Sequence, residues 1–164
     1  MPRFLLATVA CLTLACGVPL WTPAPERPFP VPASTAAIRS ITLLHNGCFG
    51  ACGVYAYRLQ RDGTARYVGS AFVPVIGGYV ATVDSSAYER LASLLIHRHF
   101  FEMPTGGYAF DLSSTTLIVG VGDTEKVAII SGGRSPDGLD QLAQAVEDVA
   151  AKLAWHPDLR APSN

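Results

Sequence analysis

The sequence predicts an α+β fold, with an antiparallel sheet of five to six strands and two helices packed on one face of it. Two observations carry this prediction. Runs of alternating or β-branched apolar residues flank Asp62-Gly63 and Gly122-Asp123, and such dipeptides favour tight hairpin turns. Two other stretches carry apolar residues at helical spacing, one in the middle of the chain and one near its end. The predicted order is ββββαββα, with a strand-rich N-terminal half.

Four strands are predicted in the first half of the domain, and they occupy residues 38–45, 54–59, 64–69 and 73–83. The second strand alternates in the period of two that is typical of a strand with one buried side. The third is expected to return antiparallel after Asp62-Gly63. The fourth is interrupted by Pro74 and Gly77-Gly78, which indicates a bulge or a tight turn within it.

The first helix is predicted to follow this strand and to end near Arg98. Ser86 and Glu89 have the spacing of a capping box, in which each side chain satisfies a free backbone N–H of the first turn. The residues after Ser86 place apolar side chains three and four positions apart, as a helix with one buried face requires. These apolar residues are Tyr88, Leu91, Leu94 and Leu95.

The second half is predicted to contain a hairpin and a final helix. The hairpin strands, 115–121 and 125–130, flank Gly122-Asp123. The helix is expected to begin at Ser135-Pro136-Asp137, because proline is favoured at the first helical position, and to end at His156-Pro157. It presents one apolar stripe. The stripe consists of Leu139, Leu142, Val146, Val149 and Leu153.

Residues 1–16 are predicted to be an export signal of the lipoprotein type. Arg3 supplies the positive charge, and an apolar core of about a dozen residues follows, too short to span a bilayer permanently. Residues 13–17 resemble the lipobox of bacterial lipoproteins, in which the cysteine accepts diacylglycerol, so Cys16 is the expected lipidation site. Cys11 is a poorer candidate. The alternative is a secreted protein cleaved nearby by an ordinary signal peptidase.

Residues 17–36 are predicted to form a proline-rich tether that precedes the domain. They show no helical or alternating apolar pattern, so we expect them to stay extended and solvated at about 3 Å per residue. Residues 37–157 are enough for a single globular α+β domain with one core. Residues 158–164 are expected to be a C-terminal tail. The tether prolines are Pro19, Pro23, Pro25, Pro28, Pro30 and Pro32.

Export decides the interpretation of the remaining cysteines. With Cys11 lost and Cys16 lipidated, Cys48 and Cys52 are left as a pair in an oxidising compartment, where a structural disulfide is the default. Four residues of fully extended chain, the separation of Cys48 and Cys52, span about 13 Å, whereas a disulfide needs its Cα atoms within roughly 7 Å of each other. The backbone between the cysteines must therefore turn, and Gly50 is expected to allow this through a positive φ.

One cysteine-containing motif carries a family resemblance. Residues 48–55 read Cys-Phe-Gly-Ala-Cys-Gly-Val-Tyr, followed by Asp62-Gly63 and Tyr67, and this resembles the C-F-G-x-C-P-x-Y core of the bacterial domain-of-unknown-function family 6438. The resemblance extends over roughly residues 38–155. It implies the domain boundaries and the paired cysteines, but no activity or substrate. Gly53 stands where the family usually has proline, so the loop is expected to be less rigid. Further matching positions are Phe100, Tyr108, Asp111 and Trp155.

No catalytic residues and no cofactor are predicted. A thioredoxin-like site needs two intervening residues at a helix start, whereas three separate Cys48 from Cys52 and a strand follows. No G-x-S-x-G elbow or metalloprotease helix occurs. The alternative hypothesis is a periplasmic copper-binding or redox protein, because two thiolates and His45 are ligands that suit Cu(I).

The charge balance gives no indication of a nucleic-acid partner. The chain has 12 basic and 13 acidic residues and a formal net charge of −1, so no strong positive field is present. We expect a cell-envelope lipoprotein, facing the periplasm or cell exterior and anchored to the membrane through its N-terminal lipid. Its domain is predicted to be a non-catalytic module that binds an unknown protein or small molecule. The surface feature expected of such a binding module is an exposed apolar or aromatic patch on the sheet face opposite the helices.

Overall fold

The computed structural model describes residues 28–109 and 111–159, which form an antiparallel sheet with two α-helices and confirm the α+β class. Within these residues the sheet has seven strands in the order β6-β5-β1-β2-β3-β4-β7. The strands are β1 (Ile38–Asn46), β2 (Val54–Gln60), β3 (Thr64–Ala71), β4 (Gly77–Thr82), β5 (Ser114–Val121), β6 (Thr124–Ser131) and β7 (His156–Pro157). The count exceeds the predicted five to six because His156-Pro157, expected only to end the last helix, pairs with β4 at the sheet edge.

The export signal, Cys16, residues 17–27 of the predicted tether and residues 160–164 of the predicted tail lie outside the described residues. The last part of the tether packs onto the domain. Phe29 stacks on Phe101 with ring centroids 5.9 Å apart, Pro32 is buried, and Thr35–Ala37 form a short 3-10 helix. The expectation of a fully solvated tether therefore does not hold for these residues. No helix in the described ranges is long and apolar enough to cross a membrane.

Strand register decides which side chains form the core. Ile41 of β1 lies opposite Leu59 of β2 on one side and Val119 of β5 on the other. Residues paired in this way point to the same face of a sheet, so all three enter one core. The helices α1 (Ser85–His97) and α2 (Leu139–Ala150) bury their apolar faces against this side, which leaves the other face of the sheet without a helix among the described residues.

The start of α1 differs from the predicted capping box. Asp84 is the N-cap residue, and its carboxylate accepts a 3.0 Å hydrogen bond from the Ser86 N–H and another bond from the Ser86 hydroxyl. These hydrogen bonds hold the pKa of Asp84 below its ordinary value. Glu89 instead pairs with Arg61 on the β2–β3 turn. The capping-box prediction was wrong because a better acceptor, Asp84, lies two residues before Ser86.

The start of α2 also differs from the prediction. The helix begins at Leu139 rather than near Pro136, because Gly138 takes a left-handed φ of 79° that interrupts helical geometry. Pro136 belongs to a turn, in which its carbonyl accepts a hydrogen bond from the Leu139 N–H. The helix ends at Ala150. Leu153 of the predicted stripe therefore lies beyond the helix, although it still packs against the core.

Candidate functional site

The predicted cysteine pair closes the connection between two adjacent strands. Cys48 and Cys52 lie between β1 and β2, with Cα atoms 5.5 Å apart and sulfur atoms at disulfide-bonding distance. The Gly50 N–H donates a 2.8 Å hydrogen bond to the Cys48 carbonyl, so the backbone turns about Phe49. Gly50 has a positive φ of 158°, as expected for it. Phe49 is 92% exposed at the tip of the loop.

His45, the third ligand of the copper alternative, has other partners. Its ring stacks on Tyr55 with centroids 4.5 Å apart, and its Nε2 lies 3.1 Å from a carboxylate oxygen of Glu147 on α2. Within the described residues, no three His, Cys, Asp or Glu side chains are grouped as metal ligands would be. The geometry therefore assigns His45 to the contact between the sheet and α2.

Glu147 is the centre of a small polar cluster that was not predicted. The Tyr55 hydroxyl donates a 2.7 Å hydrogen bond to the Glu147 oxygen that also faces His45. Burial first, and then the neighbouring Glu147 carboxylate, raise the pKa of Tyr55, so the phenol stays a neutral donor. One sequence signal could have revealed this cluster: Glu147 is four residues after Ala143 and three before Ala150, which places a carboxylate within the apolar stripe of α2.

The cluster does not have the geometry of a nucleophile and its base. The Thr115 hydroxyl oxygen lies 3.3 Å from Nδ1 and 3.4 Å from Nε2 of His45. An oxygen almost equidistant from both ring nitrogens cannot lie along the in-plane lone pair of either one, which a good hydrogen bond requires. Thr115 is therefore not activated by His45, and the cluster joins the strands to α2.

Three tyrosines on adjacent strands form a ladder on the helix side of the sheet. Tyr57, Tyr67 and Tyr79 lie directly opposite one another on β2, β3 and β4, with consecutive ring centroids 5.2 and 6.1 Å apart. Trp155 lies 6.0 Å from both Tyr57 and Tyr67, and its indole N–H donates to the Ala150 carbonyl. Because the last turn of α2 fixes Trp155, the four rings are held in one arrangement.

These rings line an open pocket of about 350 Å³, which we call the aromatic pocket. Its lining residues are Tyr57, Tyr67, Pro74, Val75, Tyr79 and Trp155. The three tyrosines are partly buried. The sequence could not indicate the register that places them side by side, or the return of Trp155 over them.

The β3–β4 loop, residues 72–76, forms one wall of the aromatic pocket. The Tyr67 hydroxyl donates a 3.0 Å hydrogen bond to the Val75 carbonyl. Gly69 allows this close approach, since a Cβ atom there would lie only 2.1 Å from the same carbonyl oxygen. Phe72 in the loop has φ 51°, a conformation that is costly for a residue with a Cβ atom, and its side chain is 67% exposed.

Among the residues that the structure describes, most large exposed apolar side chains collect at one end of the sheet, which we call the apolar end. They are Phe49, Phe72, Val75, Ile76, Tyr108, Leu112 and Leu159. These residues lie in the β1–β2 and β3–β4 loops, the segment leading into β5 and the segment after β7, all of which reach this end. The loops also touch. The Phe49 N–H donates to the Asp111 carbonyl, and a Cβ atom at Gly53 would lie 3.4 Å from the Phe72 carbonyl oxygen.

The opposite end of the sheet, the polar end, carries charged residues at its turns. They are Arg39, Arg61, Asp62, Asp84, Asp123 and Glu125. On the sheet face without a helix, the strands expose one large apolar side chain among the described residues, Val68, and it lies beside exposed Arg66 and Arg58. The main exposed apolar surface is therefore at the sheet end and not on the face where it was expected.

Comparison with curated proteins finds no match to this chain. The family model described as domain of unknown function DUF6438 matches residues 39–150. The match runs from β1 to the end of α2, and so contains the cysteine loop, the tyrosine ladder and Glu147, whereas Trp155 and β7 follow it. Because the match covers more than half of the chain, the protein belongs to the DUF6438 family.

Proposed function

We propose that this protein is a lipoprotein of the cell envelope, anchored through Cys16, whose domain is a non-catalytic interaction module that docks on the membrane surface. The observation that carries the proposal is the gathering of seven exposed apolar side chains at the apolar end. Exposed apolar patches of this kind mark protein or membrane contact sites. We assign the apolar end to contact with the membrane, because the proposed lipid anchor keeps the domain beside a bilayer.

The chemistry of the apolar end suits a lipid surface. Residues 47–53 and 72–76 contain no charged side chain, so the tips of these two loops can enter a bilayer without desolvating a charge of their own. Phe49 and Phe72 are aromatic side chains exposed at loop tips, and transferring their surface from water to hydrocarbon is favourable by about 25 cal/mol per Å². The charged turns of the polar end would oppose the reverse orientation.

The length of chain before the domain permits this orientation. Eleven residues lie between Cys16 and Pro28, where the described residues begin, and the twelve Cα-to-Cα steps can span at most about 40 Å. The nine residues of β1, which run from the polar end to the apolar end, cover about 30 Å. A lipid on Cys16 can therefore reach a bilayer that lies against the apolar end.

The alternative function, a copper-binding or redox protein that uses Cys48 and Cys52, lacks a supporting contact. The two sulfur atoms are at bonding distance from each other, and His45 is engaged with Glu147 and Tyr55. A thiol titration before and after mild reduction, followed by a Cu(I) competition assay, tests this alternative. Two free thiols and tight copper uptake by the untreated protein would favour it.

The lipid anchor and the docking surface can be tested separately. Mass spectrometry of the mature N-terminal peptide is expected to show a diacylglycerol-modified Cys16, and an unmodified terminus would contradict the anchor. For docking, Phe49→Trp is introduced in the full-length mature protein, which is then mixed with vesicles that contain brominated lipids. We expect its fluorescence to be quenched more strongly than that of Val31→Trp, a control beside Glu125. Equal quenching of the two variants would contradict docking, whether or not Cys16 is lipidated.

A further inference from the structure

The aromatic pocket shares loop 72–76 with the apolar end, but it has a chemistry of its own. None of its six lining residues carries a charged side chain. Two of its polar groups are already used within the protein, because the indole N–H of Trp155 donates to Ala150 and the Tyr67 hydroxyl donates to Val75. The pocket therefore cannot select a ligand by ion pairing, and it offers mainly ring faces.

Two hydroxyl groups of the pocket remain available. Those of Tyr57 and Tyr79 have no hydrogen-bond partner among the described residues, although both rings pack against Tyr67. Burial raises the pKa of Tyr57, so its hydroxyl keeps its proton and can donate. A ligand for this pocket should combine apolar, flat-sided groups with unpaired carbonyl oxygens that accept from these hydroxyls.

We infer that the aromatic pocket binds a proline-rich segment of a partner protein in the extended polyproline II conformation. Such a segment has no internal hydrogen bonds, so its carbonyl groups are free to accept, and its proline rings pack against aromatic side chains. It is rigid before it binds, which lowers the entropic cost of docking. The volume of about 350 Å³ lies within the range of about 300–1,000 Å³ that is usual for binding pockets.

The walls of the pocket are held in place before any ligand arrives. Cross-strand register fixes the tyrosine ladder, the end of α2 fixes Trp155, and the Tyr67–Val75 hydrogen bond fixes the loop that carries Pro74. A pocket that needs no rearrangement favours a rigid ligand over a flexible chain. This inference does not depend on membrane docking, because a soluble peptide can test it without vesicles.

The experiment uses Trp155 as the reporter. The chain contains two tryptophans, so Trp21→Phe in the full-length mature protein leaves Trp155 as the only one. A blocked decaproline peptide is titrated in, and a matched peptide in which alanine replaces every second proline serves as the ligand control. We expect a saturable change in Trp155 fluorescence with decaproline, and at least tenfold weaker binding of the control peptide.

Variants in the pocket identify the binding surface. Tyr79→Ala is expected to weaken decaproline binding by about tenfold or more, because it removes one of the four rings that line the pocket. Tyr79→Phe is expected to weaken it less, since only the hydroxyl is lost. Val68→Ala, which truncates a 50% exposed side chain on the opposite face of the sheet, is expected to leave binding unchanged. Far-UV circular dichroism and urea unfolding establish that each variant is folded.

Three results would overturn the inference. The first is the absence of a saturable signal with decaproline in the folded protein. The second is an equal affinity for decaproline and the alanine-substituted peptide. The third is an equal loss of binding in the Tyr79→Ala and Val68→Ala variants. Saturable binding of indole without any binding of decaproline would identify a site for small aromatic molecules instead, and would also overturn the peptide assignment.

Discussion

Tyr55 and Glu147, which are 92 residues apart in the chain, meet in a 2.7 Å hydrogen bond between β2 and α2. The same carboxylate oxygen lies 3.1 Å from Nε2 of His45 on β1. A single side chain of the last helix therefore contacts both strands that lead to the cysteine loop. These three residues stabilise the junction between the sheet and α2.

Removing the Glu147 carboxylate is expected to destabilise the fold. Glu147→Ala leaves the partly buried Tyr55 hydroxyl without an acceptor, and should lower the free energy of unfolding by about 1–2 kcal/mol. Glu147→Gln retains an acceptor oxygen and should lower the free energy of unfolding by less than Glu147→Ala does. Asp148→Ala, which changes the adjacent exposed carboxylate, should stay within about 0.5 kcal/mol. Urea unfolding measures all three, and equal stability of the Glu147→Ala and Asp148→Ala proteins would contradict the assigned contact.

The tyrosines predict a loss of stability at alkaline pH. Burial raises the pKa of Tyr55, Tyr57, Tyr67 and Tyr88 above the ordinary value near 10. The folded protein therefore keeps protons that the unfolded chain has lost. The contribution of these tyrosines to the free energy of unfolding should be constant below about pH 10. It should fall as the pH rises from there towards the pKa values of the folded protein.

The alkaline effect can be measured by unfolding in urea at a series of pH values from neutral to strongly alkaline. Each of these tyrosines lowers the free energy of unfolding by at most about 1.4 kcal/mol per pH unit, and by less where solvent screens it. Tyr55→Phe should reduce the slope, whereas the exposed-site control Tyr108→Phe should not. A stability that is flat or rises above pH 10 would show that the phenols are not protected by the fold.

The Cys48–Cys52 bond should contribute modestly to stability. A closed loop this short restricts the unfolded chain and so stabilises the folded state by about 2 kcal/mol. The sheet contacts of β1 and β2 do not depend on this bond. The double variant Cys48→Ser/Cys52→Ser should therefore remain folded, with an unfolding free energy lower by about 2 kcal/mol. Wild-type protein treated with dithiothreitol should match the variant, and Ala51→Ser in the same loop serves as the control. Loss of cooperative unfolding in the double variant would show that the bond holds the whole domain.

A methyl group at Gly69 should disturb the wall of the aromatic pocket. Gly69→Ala places a Cβ atom 2.1 Å from the Val75 carbonyl oxygen, so loop 72–76 must move and the Tyr67 hydrogen bond must weaken. We expect a cost of about 1–3 kcal/mol in urea unfolding and a shift in Trp155 emission. Gly107→Ala, where no heavy atom lies within 4 Å, should be almost neutral. Similar stability and emission of the two variants would contradict the close approach of β3 to the loop.

Several elements could be predicted from the sequence because their signals are local. The turns at Asp62-Gly63 and Gly122-Asp123 join antiparallel strands as predicted, and the two helices occupy the predicted stretches. Helix starts were less accurate, since the choice between Asp84 and Ser86 as N-cap depends on which side chain reaches the free backbone N–H groups. The two-residue strand β7 was missed because it has no periodicity to detect and exists only through pairing with β4.

By itself, the sequence determined the fold class, the strand and helix stretches, and the turn that brings Cys48 and Cys52 together, because backbone propensity and short-range spacing govern all of these. Only the tertiary structure decided the tyrosine ladder, the position of Trp155, the Glu147 contacts and the gathering of apolar loops at one end. These features depend on strand register and strand order across the sheet. Register and order are set by packing between residues far apart in the chain, which a local pattern does not record.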